Sequence, residues 1–110
     1  MEPNERDELI RCGLNQTYTL RPWNRQRCQV IQGLVRQDYM IPLSEARNPE
    51  YEPRPFYTLP KNRTVTLTSK GRDWLLALDP ADFEGVAWWP LPSDIRRLQA
   101  RIRGAEFWGV

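Results

Sequence analysis

A segment near the middle of the chain constrains the fold more than any other feature, because it contains five prolines within 21 residues. Residues 42–62 have the sequence PLSEARNPEYEPRPFYTLPKN. Proline lacks a backbone N–H and fixes φ, so most of this segment can form neither a helix nor a central strand. It is therefore predicted to be a long loop, of the kind that is usually functional or disordered in a small domain. Regular structure has to form on either side of it.

A short N-terminal helix is predicted ahead of the loop. Asn4 is a suitable N-cap, and three acidic residues follow it closely, where the helix dipole favours negative charge. Gly13 is expected to end this helix. Residues 15–22 are interpreted as a connection to the next element.

The most regular segment, NRQRCQVIQGLVRQDYMI, predicts a longer helix. It opens at Asn24, a favourable N-cap, and is expected to end near Asp38. Arginine and glutamine occupy most of its surface, and the apolar positions that recur at helical spacing are Cys28, Ile31, Leu34 and Val35. The apolar run 39–41, closed by Pro42, is typical of a short strand.

A strand and a helix are predicted directly after the loop. Residues 63–68 alternate apolar and polar side chains and are rich in β-branched residues, the pattern of a half-buried strand. Thr68 is a suitable N-cap for a helix that Pro80 ends. One face of that helix is apolar and carries Trp74, Leu75 and Leu78.

A last helix is predicted near the C-terminus, after an irregular, proline-bracketed segment at 79–92. Ser93 and Asp94 are expected to cap it, and Gly104 to end it. Its apolar stripe consists of Ile95, Leu98 and Ile102, with arginines around the rest.

The residue types available exclude several classes of function. The chain has 110 residues, enough for one domain, with two cysteines and no histidine. A zinc site would lack two of its usual four ligands, and neither a Ser–His nor a Cys–His nucleophile pair can form. We therefore expect no metal, no cofactor and no catalytic machinery.

The sequence also predicts where the protein acts. No stretch approaches the roughly 20 apolar residues of a membrane span, and the acidic start MEPNERDELIR is unlike a signal peptide. A cytoplasmic protein without a membrane partner is expected, with Cys12 and Cys28 reduced.

Two sequence segments, in this order and about 30 residues apart, resemble motifs of small bacterial and phage winged helix-turn-helix proteins. VIQGLVRQDYMI is similar to the recognition helix and first wing strand of that family. VTLTSKGRDWLLAL is similar to the second wing strand and next helix, with Thr68, Gly71 and Arg72 matching the pattern. The resemblance implies a mostly α fold with a small β wing (α+β): a winged-helix domain over residues 1–79, then a C-terminal helical extension over residues 80–110.

The chain departs from the family pattern ahead of the recognition helix. Residues 13–24 leave room for only a single helical turn, so the first helix of the motif pair is abbreviated or replaced. Trp23 is expected to fill the space that this helix would have occupied. The wing loop is also longer and richer in proline than the family pattern.

The resemblance implies double-stranded DNA as a partner. The N-terminal part of the recognition helix would present Arg25, Gln26 and Gln29 to base edges in a major groove. Arg21 and Arg27 would contact phosphates, and the wing would add further basic contacts. The complete predicted set is Arg21, Asn24, Arg25, Gln26, Arg27, Gln29, Arg54, Lys61 and Arg63. The competing interpretation is that these are ordinary solvated charges.

Charge is distributed unevenly along the chain, although the formal net charge is only +2. Residues 21–72 carry ten basic and four acidic side chains, a net +6, whereas residues 73–94 carry five acidic and no basic ones. A basic face with an acidic back would give this pattern. Compensation of helix dipoles would give part of it as well.

Aromatic residues near the C-terminus favour a protein partner. Tryptophan and arginine are enriched at binding hot spots, and both are frequent after residue 87. A homodimer is the simplest interpretation, and burial against the parent domain is the alternative. The residues assigned to a dimer or partner surface are Trp74, Trp88, Trp89, Leu98, Phe107 and Trp108.

The predicted function is therefore a sequence-specific DNA-binding regulator of a bacterial or phage operon. The alternative is a winged helix used for protein contact, such as a phage-encoded inhibitor that docks on a host protein complex. Fold alone does not separate them.

Overall fold

The computed structural model of the chain describes residues 1–21, 23–52 and 63–104. They form an α+β fold in which four helices surround a small antiparallel sheet. In chain order the elements are α1 (Pro3–Asn15), β1 (Thr17–Thr19), α2 (Arg25–Arg36), β2 (Met40–Pro42), β3 (Thr64–Leu67), α3 (Ser69–Leu76) and α4 (Pro92–Arg103). Short 3-10 helices lie at Leu43–Glu45 and Pro80–Phe83.

The sheet has the strand order β1-β3-β2, so the last strand in sequence lies at its centre. Tyr18 pairs with Val65 on one side, and Ile41 pairs with Thr66 on the other. This order is compatible with the winged helix that the sequence predicts. The prediction of a half-buried β3 is wrong, because a central strand packed between neighbours buries Val65, Thr66 and Leu67 alike.

β1 lies in the segment that we interpreted as a connection. Three residues cannot be stable as a strand alone, and pairing with β3, some 45 residues later, holds them in place. Side chains reinforce this pairing, since the Thr19 and Thr64 hydroxyls lie 2.9 Å apart and Thr66 Oγ1 donates to Gln16 O at 2.8 Å.

The helix α1 is longer than predicted at both ends. It begins at Pro3, with Glu2 as the N-cap, and the Glu2 N–H donates to Glu5 Oε1 at 3.1 Å. Gly13 does not end the helix but is buried within it. A Cβ at Gly13 would lie 3.1 Å from Leu75 Cδ1, so this glycine lets α3 pack closely against α1.

Two predicted caps are confirmed. The Asn24 side chain accepts from the Arg27 N–H and the Thr68 side chain accepts from the Gly71 N–H, which start α2 and α3 respectively. The predicted cap of α4 is misplaced, because the helix begins at Pro92 with Leu91 as its N-cap. Asp94 still contributes, since its Oδ2 accepts from the Leu91 N–H at 2.8 Å.

One hydrophobic core joins all four helices to the sheet. Its fully buried side chains are Leu9, Ile10, Leu20, Ile31, Leu34, Val35, Met40, Val65, Leu67, Leu75, Ile95 and Leu98. The helix α4 therefore belongs to the same core as the preceding residues. Gln99 Nε2 donates to Leu75 O and Leu78 O at 3.1 and 2.8 Å, and Arg101 donates to Leu14 O, so α4 also supplies partners for carbonyls at the ends of α3 and α1.

The two cysteines differ in environment, which gives a prediction. Cys12 is fully buried, and burial together with the nearby charge of Glu8 raises the pKa of its thiol to about 12. Cys28 is only half-buried and its Sγ donates to Arg21 O at 3.3 Å. Since the thiolate is the reactive form, only about one Cys12 in ten thousand would be ionised at pH 8. Iodoacetamide at that pH is expected to modify Cys28 and to spare Cys12 until the protein unfolds.

Mass spectrometry of the alkylated peptides checks this expectation, with a sample in denaturant as the control for full reactivity. Equal modification of both cysteines under native conditions would contradict the burial of Cys12.

Candidate nucleic-acid interface

The start of α2 is fixed by a hydrogen-bonded turn. The Asn24 N–H donates to Arg21 O at 3.0 Å, and Asn24 Oδ1 accepts from the Arg27 N–H at 3.2 Å. Asn24 is also one of the predicted DNA contacts, but it is half-buried and its side-chain oxygen is engaged in this cap. Its first role is to set where α2 begins and in which direction its first turn projects.

The face of α2 opposite the core is polar and open to solvent. Arg25, Gln26 and Gln29 are exposed, and within the described part of the chain their side chains make no hydrogen bond or ion pair. Gly33 lies on the same face, where an added Cβ would meet only Gln37 Nε2, at 3.9 Å. Because Ile31, Leu34 and Val35 hold the helix from the other side, these outward residues are not needed for packing.

The two sides of this outward face differ in charge. A groove of about 280 Å³ separates α2 from the first turn of α1, and its lining includes Glu2, Glu5 and Gln29. Gln37 Nε2 also donates to Glu5 Oε2 at 2.9 Å across the same helix pair. The side facing α1 is therefore acidic, and Gln29 lines it. The exposed arginines of α2, Arg25 and Arg36, supply the positive charge of the outward face.

Arg27 is half-buried and turned towards α1. Its Nε donates to Glu8 Oε1 at 2.9 Å, and its guanidinium lies 5.1 Å from the centre of the Tyr18 ring. Burial alone would lower the pKa of Arg27, but the hydrogen bond and the charge of Glu8 outweigh it and raise the pKa. Arg27 was predicted to contact phosphate, whereas in the structure it links α2 to α1 and β1.

Glu8 is the acceptor around which this link is built. It is buried on α1, and Arg11 Nε lies 3.9 Å from the same Oε1 that Arg27 occupies. The Arg11 guanidinium in turn stacks 4.4 Å from the centre of the Trp89 ring. The cluster therefore connects α1, α2, β1 and the segment before α4. Such a buried carboxylate depends on its arginine partners, because an unpaired buried charge is strongly destabilising.

Trp23 is not where the sequence analysis placed it. We expected it to fill the space of the abbreviated helix, but its side chain is 79% exposed. Leu20, which is 2% exposed, enters the core ahead of the turn, and the Arg21 guanidinium lies 6.0 Å from the Trp23 ring centre. The turn at residues 21–24 carries the indole outward, so an aromatic ring and two exposed arginines, Arg21 and Arg25, lie together at the start of α2.

The predicted wing contacts are described only in part. Arg63 is exposed, and its Nη1 donates to Ser44 Oγ at 3.4 Å, next to the end of β2. Arg54 and Lys61 lie in residues 53–62, outside the described residues. Their assignment as DNA contacts stays a prediction.

Among the residues assigned to a dimer or partner surface, the four that the structure describes do not form one surface. Leu98 is fully buried in the core, so its assignment is wrong: the apolar stripe of α4 covers this chain's own sheet and helices. Trp74 and Trp89 are half-buried and pack against the same core. Trp88 is 73% exposed, with its ring centre 6.4 Å from that of Trp89. Phe107 and Trp108 lie outside the described residues.

Within residues 1–21, 23–52 and 63–104, no three His, Cys, Asp or Glu side chains come together as metal ligands. The same residues contain no helix whose length and apolar character would let it span a membrane. Comparison of the chain with protein-family models, curated proteins and solved structures finds no match.

Proposed function

We propose that this chain is a winged-helix protein that binds double-stranded DNA with α2 in the major groove and regulates transcription. One observation carries the proposal: the outward side chains Arg25, Gln26 and Gln29 are unengaged on a helix that is otherwise firmly packed. Glutamine pairs with adenine edges in the major groove. Arg25, predicted above to reach a base edge, is here assigned to a phosphate that borders the groove. The strand order β1-β3-β2, with β1 between α1 and α2 along the chain, is compatible with the same fold assignment.

Charge supports a nucleic acid as the partner of this face. Residues 9–37 contain five arginines and no aspartate or glutamate. Arg21, Arg25 and Arg36 are the exposed arginines of this segment, and Arg11 and Arg27 lie against Glu8. Phosphates would approach from this basic side, away from the groove that Glu2 and Glu5 line.

Salt dependence of binding to a labelled random-sequence duplex tests the proposal. Three neutralised phosphates are expected to weaken binding by about 40-fold between 50 and 200 mM salt, because the logarithm of the binding constant falls with the logarithm of salt at about 0.9 per contact. Arg25→Ala is expected to bind about fivefold more weakly and with a slope smaller by about one. Fluorescence anisotropy at several salt concentrations gives both quantities.

Arg96→Ala is the matched control, since Arg96 is an exposed arginine on α4, away from the proposed surface. It is expected to bind like the unmodified protein. Absence of binding at 50 mM salt would refute the DNA proposal, and an equal response of both variants would refute the placement of α2 in the groove.

A second candidate function, docking on a protein partner, is favoured by Trp88. This side chain is 73% exposed, and Leu91, three residues on, is 39% exposed. Trp88→Ala would weaken such a complex without affecting DNA binding, which distinguishes the two functions.

A further inference from the structure

The most exposed large apolar side chain at the proposed DNA surface is Trp23. It is 79% exposed, and it occupies the position directly before the N-cap of α2. Burial of an indole removes a large apolar area from water, so a ring in this position gains free energy when another surface covers it. No described residue of this chain covers it.

The turn that carries Trp23 is tied to α2 by hydrogen bonds. The hydrogen bond from the Asn24 N–H to Arg21 O closes the turn, and Cys28 Sγ donates to the same carbonyl at 3.3 Å. The Asn24 cap then ties the turn to the first residues of α2. Since both ends are bonded to the helix, the backbone of Trp23 has a fixed relation to the first turn of α2.

The surroundings of the ring are cationic. Arg21 lies 6.0 Å from its centre, Arg25 is exposed two residues later, and no acidic residue occurs between positions 9 and 37. A surface that alternates an apolar ring with cations complements a ligand that alternates apolar rings with anions. The sugar–phosphate backbone of DNA has this chemistry, with deoxyribose between successive phosphates.

We infer that Trp23 packs against a deoxyribose of the strand that borders the groove entered by α2, while Arg21 and Arg25 contact the phosphates on either side. Trp23 is then a positioning residue that fixes how far and at what angle the first turn of α2 enters the groove. Trp23 thereby takes over the role of the helix that is predicted to be abbreviated or replaced ahead of α2. The inference rests on the proposed function and extends it to one residue that the sequence analysis assigned to the core.

Three variants test the inference in the duplex titration. Trp23→Ala is expected to lower affinity by about tenfold, as loss of an aromatic anchor at an interface does. Because it removes no charge, its salt slope should stay that of the unmodified protein, in contrast to Arg25→Ala. Trp23→Phe keeps a ring and should lose less than about threefold. Trp88→Ala removes an equally exposed tryptophan elsewhere and should change nothing.

Two further measurements separate contact from folding. The thermal midpoint of Trp23→Ala should match that of the unmodified protein, because the side chain makes few internal contacts. DNA should reduce acrylamide quenching of the unmodified protein more than that of Trp23→Phe. Equal affinities of Trp23→Ala and Trp88→Ala on a duplex that the unmodified protein binds would overturn this inference alone. A failure of the unmodified protein to bind any duplex would overturn the proposed function as well.

Discussion

Replacement of Gly71 by alanine is expected to lower the free energy of unfolding by about 3 kcal/mol or more, enough to remove much of the stability of a small domain. In most exposed helix positions this change is stabilising, since glycine costs about 1 kcal/mol relative to alanine. Gly71 is different because a Cβ there would overlap the carbonyl oxygen of Tyr39. Backbone on both sides has to move to accommodate a methyl group.

The carbonyl that Gly71 approaches belongs to a hydrogen-bonded junction and is not free to shift. Tyr39 O accepts from the Thr68 N–H at 3.2 Å, and Thr68 Oγ1 donates to Asp38 O. The same hydroxyl accepts from the Gly71 N–H at 3.1 Å. The end of α2, the start of β2 and the start of α3 therefore meet at this point, and a displacement would break several bonds at once.

Chemical denaturation measures the effect, with Gly33→Ala as the matched control. Gly33 lies in α2, where an added Cβ meets only Gln37 Nε2 at 3.9 Å, so alanine there should raise the free energy of unfolding by about 0.5–1 kcal/mol. Opposite signs for the two substitutions are the expected result. A Gly71→Ala protein as stable as the unmodified one would show that the two segments are not packed as described.

Leu98→Ala is the second substitution with a large expected effect, a loss of about 2–5 kcal/mol in the free energy of unfolding. Leu98 is fully buried on the inner face of α4, among the side chains that α1, α3 and the sheet contribute to the core. Alanine leaves a cavity that the surrounding helices fill only in part. The same change at a dimer surface would instead make the stability of the protein depend on its concentration.

Denaturation of Leu98→Ala at two protein concentrations therefore separates the two roles. We expect the same large loss at both concentrations, and a change of about 0.5 kcal/mol or less for the exposed Trp88→Ala control. A loss of unfolding free energy that disappears at high protein concentration would instead place Leu98 at a subunit interface.

Local sequence signals predicted all four helices and the caps of α2 and α3. Asn24 and Thr68 were identified because a cap requires only a short polar side chain and a hydrogen bond within the next few residues. The inner face of α2 followed from spacing alone. Thr68 and Gly71 match the second sequence motif quoted above. The junction that they form with Tyr39 explains why these two residue types are needed there.

The features that sequence missed depend on contacts between distant segments. Strand β1 forms because β3 pairs with it, and the residues Thr17–Thr19 alone do not indicate that partner. Gly13 has the residue type of a helix stop, but its place against Leu75 makes it part of the helix interior. The inward position of Arg27 depends on Glu8, and the outward position of Trp23 on a turn whose direction the sequence does not specify.

The residues that anchor α2 in the core are different from those on its outward face, so the outward residues can be replaced separately. Because Ile31, Leu34 and Val35 anchor the helix, and Asn24 sets its start, substitutions at Arg25, Gln26 and Gln29 should leave the scaffold intact. A library randomised at these three positions would consist largely of folded members. On the function proposed above, new preferences selected from it would measure recognition alone, and natural drift at the same positions would redirect binding without an intermediate loss of stability.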